Sequence, residues 1–181
     1  MKKPILILFI LFLGLVGLII TIPTHNASVY PDTVFFEDFE DPFSGWTYSG
    51  LWHREDNISS NWPVSGVPSP DHYMWFGDNS TGNYDGGGNQ KYYLTSGAID
   101  LTQYTGELEL TFYSYQVCND PISVEVSNDN GATWHHQFYL AVVTSFFAQV
   151  HFDISVYHSS MFRVKFVFDN DGSATGNDFG W

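Results

Sequence analysis

The sequence predicts an all-β fold: an antiparallel two-sheet jelly-roll sandwich over residues 31–181, preceded by one hydrophobic N-terminal leader helix within residues 1–30. Three observations predict it. Beyond the leader, several short runs alternate apolar and polar residues with a period of two, and no ten-residue stretch carries helical periodicity. Clusters of Gly, Asn and Asp separate these runs without intervening helical segments, which is the pattern of antiparallel strands. The 16 Phe, 11 Tyr and 6 Trp, 18% of the chain, need two facing sheets that draw aromatics from alternate positions into one core. The 181 residues are one domain's worth of chain.

The leader opens with Lys2 and Lys3 and continues as an apolar run from Ile5 to Ile20 that extends to Ile22. A basic flank followed by such a run is an export signal. Its length falls between a signal-peptide core and the roughly 20 residues that span a bilayer, so a cleaved signal and a retained membrane anchor both stay open. Either places the rest of the chain outside the cytoplasm, secreted or at the cell surface. That exported part carries 4 Lys and Arg against 20 Asp and Glu, a formal charge of −16, which repels phosphate backbones and anionic headgroups and argues against nucleic acid as a partner. One cysteine, Cys118, allows no internal disulfide, so the core or bound ions must hold the domain. Asn26, Asn57 and Asn79 each head an Asn-x-Ser/Thr sequon in a polar stretch, compatible with export and glycosylation.

Strands are expected at residues 34–36, 46–48, 73–76, 92–94, 107–115, 122–126, 137–140, 150–154 and 162–168. The clearest are 107–115, with Leu108, Leu110 and Phe112 on one face, and 162–168, with Phe162, Val164, Phe166 and Phe168 inward and both basic residues outward. Turn clusters fill 56–66, 78–89, 128–131 and 169–177. The glycine-rich stretch 78–89 is too polar for the core and reads as a long surface loop, the usual place for a ligand on a sandwich.

The most specific local motif is Ser127-Asn128-Asp129-Asn130-Gly131-Ala132-Thr133-Trp134, an Asp-box. Its chemistry is that of a hairpin. Asp129 accepts bonds from its own turn, Gly131 supplies positive φ, and Trp134 folds back over the base. Sialidases carry several copies; the single copy here reads as structural. Further motifs follow a fixed order: Phe36-Glu37-Asp38-Phe39-Glu40, Gly45-Trp46, Gly50-Leu51-Trp52-His53, Tyr73-Met74-Trp75-Phe76-Gly77, Leu94-Thr95-Ser96-Gly97-Ala98-Ile99-Asp100-Leu101, the Asp-box, the 162–169 strand and Gly180-Trp181. This succession resembles the jelly-roll module of the MAM-like and cleaved-adhesin type, found in secreted microbial adhesins and as an accessory domain on exported peptidases. Such modules continue with one more strand bearing an aspartate, so the resemblance implies a sandwich lacking its last strand.

The resemblance also implies a structural calcium ion held by Glu40, with Glu37 or Asp38 beside it. Calcium takes six to eight oxygen ligands, and the carboxylate excess suits it. Residues 169–173 look like the start of a calcium loop but lack the distal Glu and flanking helices. Sugar-binding modules use exposed aromatics as platforms, and Trp52, Trp62, Trp75 and Tyr84, with Tyr92 and Tyr93, are the candidates that do not read as inward.

Enzymatic patterns are missing from the sequence. The adjacent His135 and His136 would point to opposite faces of a strand, and neither a His-Glu-x-x-His nor a Gly-x-Ser-x-Gly occurs. Glu107 and Glu109 fall on the solvent face of their strand rather than as a glycosidase pair. The expected function is therefore an exported, non-catalytic binding or adhesion module for a carbohydrate or surface protein. Two alternatives stay open: an accessory domain of a secreted peptidase or glycosidase, and a structural surface subunit.

Overall fold

The computed structural model describes residues 18–22, 32–40, 45–56, 72–84, 89–118, 120–140 and 147–170. The described chain is all-β. In order, the strands are β1 Leu18–Ile22, β2 Asp32–Glu37, β3 Thr47–Tyr48, β4 Trp52–Asp56, β5 His72–Phe76, β6 Gln90–Thr95, β7 Glu109–Ser114, β8 Ile122–Ser127, β9 His135–Leu140, β10 Ala148–Asp153 and β11 Arg163–Asn170. One 3-10 turn, Ser155–Tyr157, precedes β11. Every strand pairing is antiparallel.

Three sheets result: a four-stranded one in the order β10-β7-β1-β2, a five-stranded one in the order β3-β6-β11-β8-β9, and the β4-β5 pair. The period-two pattern explains why the central strands sit where they do. In β11, Val164, Phe166 and Phe168 are buried on one face, while on the other Arg163, Lys165 and Asp169 are only partly covered and Val167 is buried as well. In β7, Leu110 and Phe112 are buried in the same way. The two larger sheets meet through these inner faces, giving a sandwich-like packing. The Phe112 ring of β7 stands edge-on to Phe166 of β11 at 5.1 Å between centroids, and Trp46 stacks on Phe166 at 6.5 Å.

The β4-β5 pair joins the same core by its own inward residues. Phe76 stacks on Phe168 with centroids 4.1 Å apart, and Trp52 meets Phe76 edge-on. The pair is in register from Trp52 opposite Phe76 to Asp56 opposite His72.

All nine expected strands lie on observed ones, and two observed strands were not expected. In β4 the run His53-Arg54-Glu55-Asp56 offers no apolar alternation, because both of its faces make polar contacts, through His53 and Glu55 on one and Arg54 on the other. In β1, Leu18–Ile22 is a strand hydrogen-bonded to β2 and β7, whereas these residues were expected in a leader helix; the remainder of that expected helix lies outside the described residues. The physical reason is composition, since a β-branched, uncharged run suits the middle of a sheet as well as it suits a leader. Among the described residues no helix is long and apolar enough to cross a membrane.

Candidate functional site

β4 and β5 present polar groups on both sides, and a short loop docks on one of them. The loop begins directly after β5. Asp78 N–H donates to Asn83 O at 2.7 Å, and Gly82 N–H donates to Asp78 O at 2.7 Å, closing residues 78–83 into a compact turn. Asp78 Oδ1 accepts the Ser80 hydroxyl at 2.6 Å and the Ser80 N–H at 2.7 Å. These bonds, the hydroxyl first, hold the Asp78 carboxyl below the usual carboxylate range. Gly82 has φ +70 and open space around it, as the tip of a turn requires.

Two contacts fix this turn to the body. Tyr84 is buried against Phe168 and Phe76, at 4.7 and 6.1 Å between centroids. On the polar side Asn79 Nδ2 donates to Glu55 Oε2 at 2.7 Å. Glu55 is only 4% exposed, and the same oxygen lies 3.0 Å from His53 Nε2. His53 Nδ1 in turn lies 2.8 Å from Leu51 O, so the ring is held from both of its nitrogens. The ring stands edge-on to Trp75 across the β4-β5 ladder at 5.3 Å. A buried carboxylate held by a histidine and a loop amide thus locks the turn to the hairpin, leaving Ser80 and Thr81 exposed at its rim.

The second cluster involves the acidic segment after β2. Glu40 Oε2 accepts from His72 Nδ1 at 2.8 Å and Oε1 from the His72 N–H at 3.0 Å. Arg54 donates to His72 Nε2 at 3.2 Å and to the carbonyls of Phe39 and Glu40. The guanidinium has no acceptor, so His72 Nε2 accepts and Nδ1 carries the proton. Glu37 accepts the Phe39 N–H at 2.8 Å and the Trp46 indole N–H at 3.0 Å, and Asp38 accepts the Glu40 N–H at 3.1 Å. Glu37, Asp38 and Glu40 are thus brought close together by one turn, where they act as acceptors for the protein's own donors. Among the described residues no group of three or more His, Cys, Asp or Glu side chains is placed to hold a metal ion. Three carboxylates from one turn fall short of the calcium shell, so a full site would need further oxygens.

The aromatic candidates divide differently from the expectation. Trp52, Trp75 and Tyr84, expected as exposed platforms, are 4%, 7% and 3% exposed. Trp52 and Tyr84 pack on Phe76 and Trp75 on the His53 ring, where a large apolar ring gains from burial. Trp62 lies outside the described residues, as do loop residues 57–66 and 85–88 and the sequons at Asn26 and Asn57. Among the described Phe, Tyr and Trp side chains, Tyr93 and Tyr48 are the exposed ones, at 38% and 53%. Tyr93 lies on the five-stranded sheet beside Lys165, whose ammonium sits 5.1 Å from the Tyr93 ring centroid and 4.1 Å from that of Trp134, and pairs with Glu125. Sequence reasoning did not find this cation–aromatic cluster, because its members come from three separate strands and a turn.

The Asp-box forms the hairpin its sequence describes. Asp129 accepts from the Thr133 hydroxyl at 2.6 Å, from the Thr133 N–H at 2.8 Å and from the Ser127 hydroxyl at 2.7 Å, and Gly131 has φ +87 beside the Trp134 ring. Its carboxylate is consumed by its own turn. No family model matches the chain, and no curated protein is similar to it.

Proposed function

We propose that this chain is an exported, non-catalytic jelly-roll module of the MAM-like, cleaved-adhesin type that binds a carbohydrate or a protein at the cell surface. The observation that carries the reading is the loop at residues 78–84. It is held by a buried carboxylate on one side and a buried tyrosine on the other, and Ser80 and Thr81 are exposed at its rim. A preorganised polar loop on a rigid scaffold binds without a large ordering cost. Export is supported by the basic-then-apolar leader, and the binding role by the ordered resemblance along residues 34–181. A calcium ion on Glu37, Asp38 and Glu40 belongs to the same proposal through the chemistry of those side chains.

The test is a glycan array, with a panel of extracellular-matrix and surface proteins beside it, probed with the parent and with Thr81→Arg. The arginine adds bulk and charge at the exposed rim of the loop, away from the buried contacts. Binding by the parent that is lost in the variant at an unchanged melting temperature is the expected result. Equal binding by both proteins would remove the loop from the function; no binding by the parent to any sugar or protein would remove the function itself.

A further inference from the structure

The four-stranded sheet is assembled around β1. Among the described residues β2 pairs with β1 alone and β7 with β1 and β10, so β2 and β7 share no ladder. β1 runs antiparallel to both. Without it, two rows of backbone N–H and C=O groups would face each other across a gap one strand wide, about 10 Å from strand to strand. Such edges pair with whatever extended chain reaches them.

β1 is also the end of the apolar run from Ile5 to Ile22 that reads as the export leader. The two uses exclude each other. Within a bilayer the segment must satisfy its backbone internally, as a helix. In the sheet it satisfies β2 and β7 instead. A leader that is cleaved behind Ile22, or retained in the membrane, leaves the sheet without its third strand.

We propose that the slot between β2 and β7 is a strand-acceptor site, in which the exported module takes an extended, uncharged, β-branched segment of a partner polypeptide in place of Leu18–Ile22. The segment now seated there defines the chemistry: Leu-Ile-Ile-Thr-Ile has no charge and four β-branched residues in five. The neighbours agree with it. The residue at the Ile20 register lies between Phe35 of β2 and Leu110 of β7, one packed against the core and the other fully buried, so the occupant needs an apolar residue there. One position on, the flanking residues are Thr33 and Glu109, where a polar residue fits. Main-chain bonds to two strands supply affinity, and the central apolar position supplies selectivity.

This inference rests on the export reading of residues 1–30 but not on the loop-binding reading, and the experiment separates them. The full-length chain carrying Ile20→Pro, which cannot hold β1 in the ladder, is mixed with a labelled peptide of residues 17–23. The expected result is saturable uptake of the peptide by the variant, at least tenfold weaker uptake by the parent, and no uptake of the same peptide with proline at its isoleucine-20 position. A folded variant that takes up no peptide overturns the slot. Should the variant fail to fold alone, recovery of a cooperative melting transition on refolding with the peptide supports it, and failure to recover with the peptide present overturns it. Separately, Thr21→Cys with Glu109→Cys places a cysteine pair across the β1-β7 register. No cross-link in the exported protein is expected. A cross-link would show that β1 stays in the sheet after export, which overturns both the leader reading and the partner strand, whatever the glycan array shows.

Discussion

The side-chain amide of Asn79, on the surface, donates to the carboxylate of Glu55, in the interior of β4, over 2.7 Å. A surface loop therefore supplies a donor to a buried charge, and the position of the loop is coupled to the folding of the hairpin. Nδ2 of Asn79 is also the nitrogen that an N-linked glycan would use in the Asn79-Ser80-Thr81 sequon.

Replacing that donor should be felt in global stability. Asn79→Ala leaves a buried carboxylate oxygen one hydrogen bond short, and the expected loss is about 1–3 kcal/mol, read from the urea midpoint. Asn79→Asp should lose more, because two carboxylates would then face each other. A midpoint equal to the parent's in both variants would show that Glu55 is served without the loop.

The Asp-box predicts a pH dependence. The Thr133 hydroxyl, then the Thr133 N–H, then the Ser127 hydroxyl bring the Asp129 carboxyl down to about 2 from its ordinary 3.8. Because the folded value lies below the unfolded one, the unfolded chain takes up the proton first. The contribution to stability is thus complete above 3.8 and is lost as the pH falls from there through about 2. Melting curves of the parent and Asp129→Asn between pH 2 and pH 5 check this: the parent's advantage should shrink as the pH is lowered. A constant difference across that window would place the effect elsewhere.

What was legible in the sequence follows from how local each interaction is. The Asp-box closes within eight residues, so its bonds are written in the residues themselves. β7 and β11 were legible because one face of each is core and the other is not. β4 was hidden because His53 and Glu55 on one face and Arg54 on the other break the apolar rhythm, for reasons visible only once Asn79 and His72 are placed beside them. The fates of Trp52, Trp75 and Tyr84 depend on partners distant in sequence, Phe76, His53 and Phe168 respectively. Likewise the Glu40–His72 pair was not legible, because nothing in the sequence ties residue 72 to residue 40.

Calcium is decided by melting. Glu37 and Glu40 already hold the Trp46 indole and the His72 ring, so each keeps only its remaining lone pairs for an ion. If calcium joins them with oxygens from elsewhere in the chain, added calcium should raise the melting temperature and a chelator should lower it. Glu40→Gln should then abolish the calcium response while lowering the metal-free melting temperature by a smaller amount. Identical curves with calcium and with chelator would exclude an ion at this turn.

Two glycines separate backbone strain from packing. Gly50 and Gly82 both have positive φ, +65 and +70. A Cβ at Gly50 would lie 2.2 Å from the Tyr92 ring, which itself packs 5.3 Å from Phe76, whereas a Cβ at Gly82 would meet nothing within 4 Å. Gly82→Ala should therefore cost only the left-handed conformation, about 1–2 kcal/mol. Gly50→Ala should cost that much and, in addition, about 1–3 kcal/mol for displacing Tyr92 from the core. The difference between the two unfolding free energies isolates the packing contribution, and Gly50→Ala combined with Tyr92→Ala should recover part of it relative to the sum of the single changes. Equal losses at the two glycines would show that Tyr92 moves aside freely and that the turn into β4 is not held by its ring.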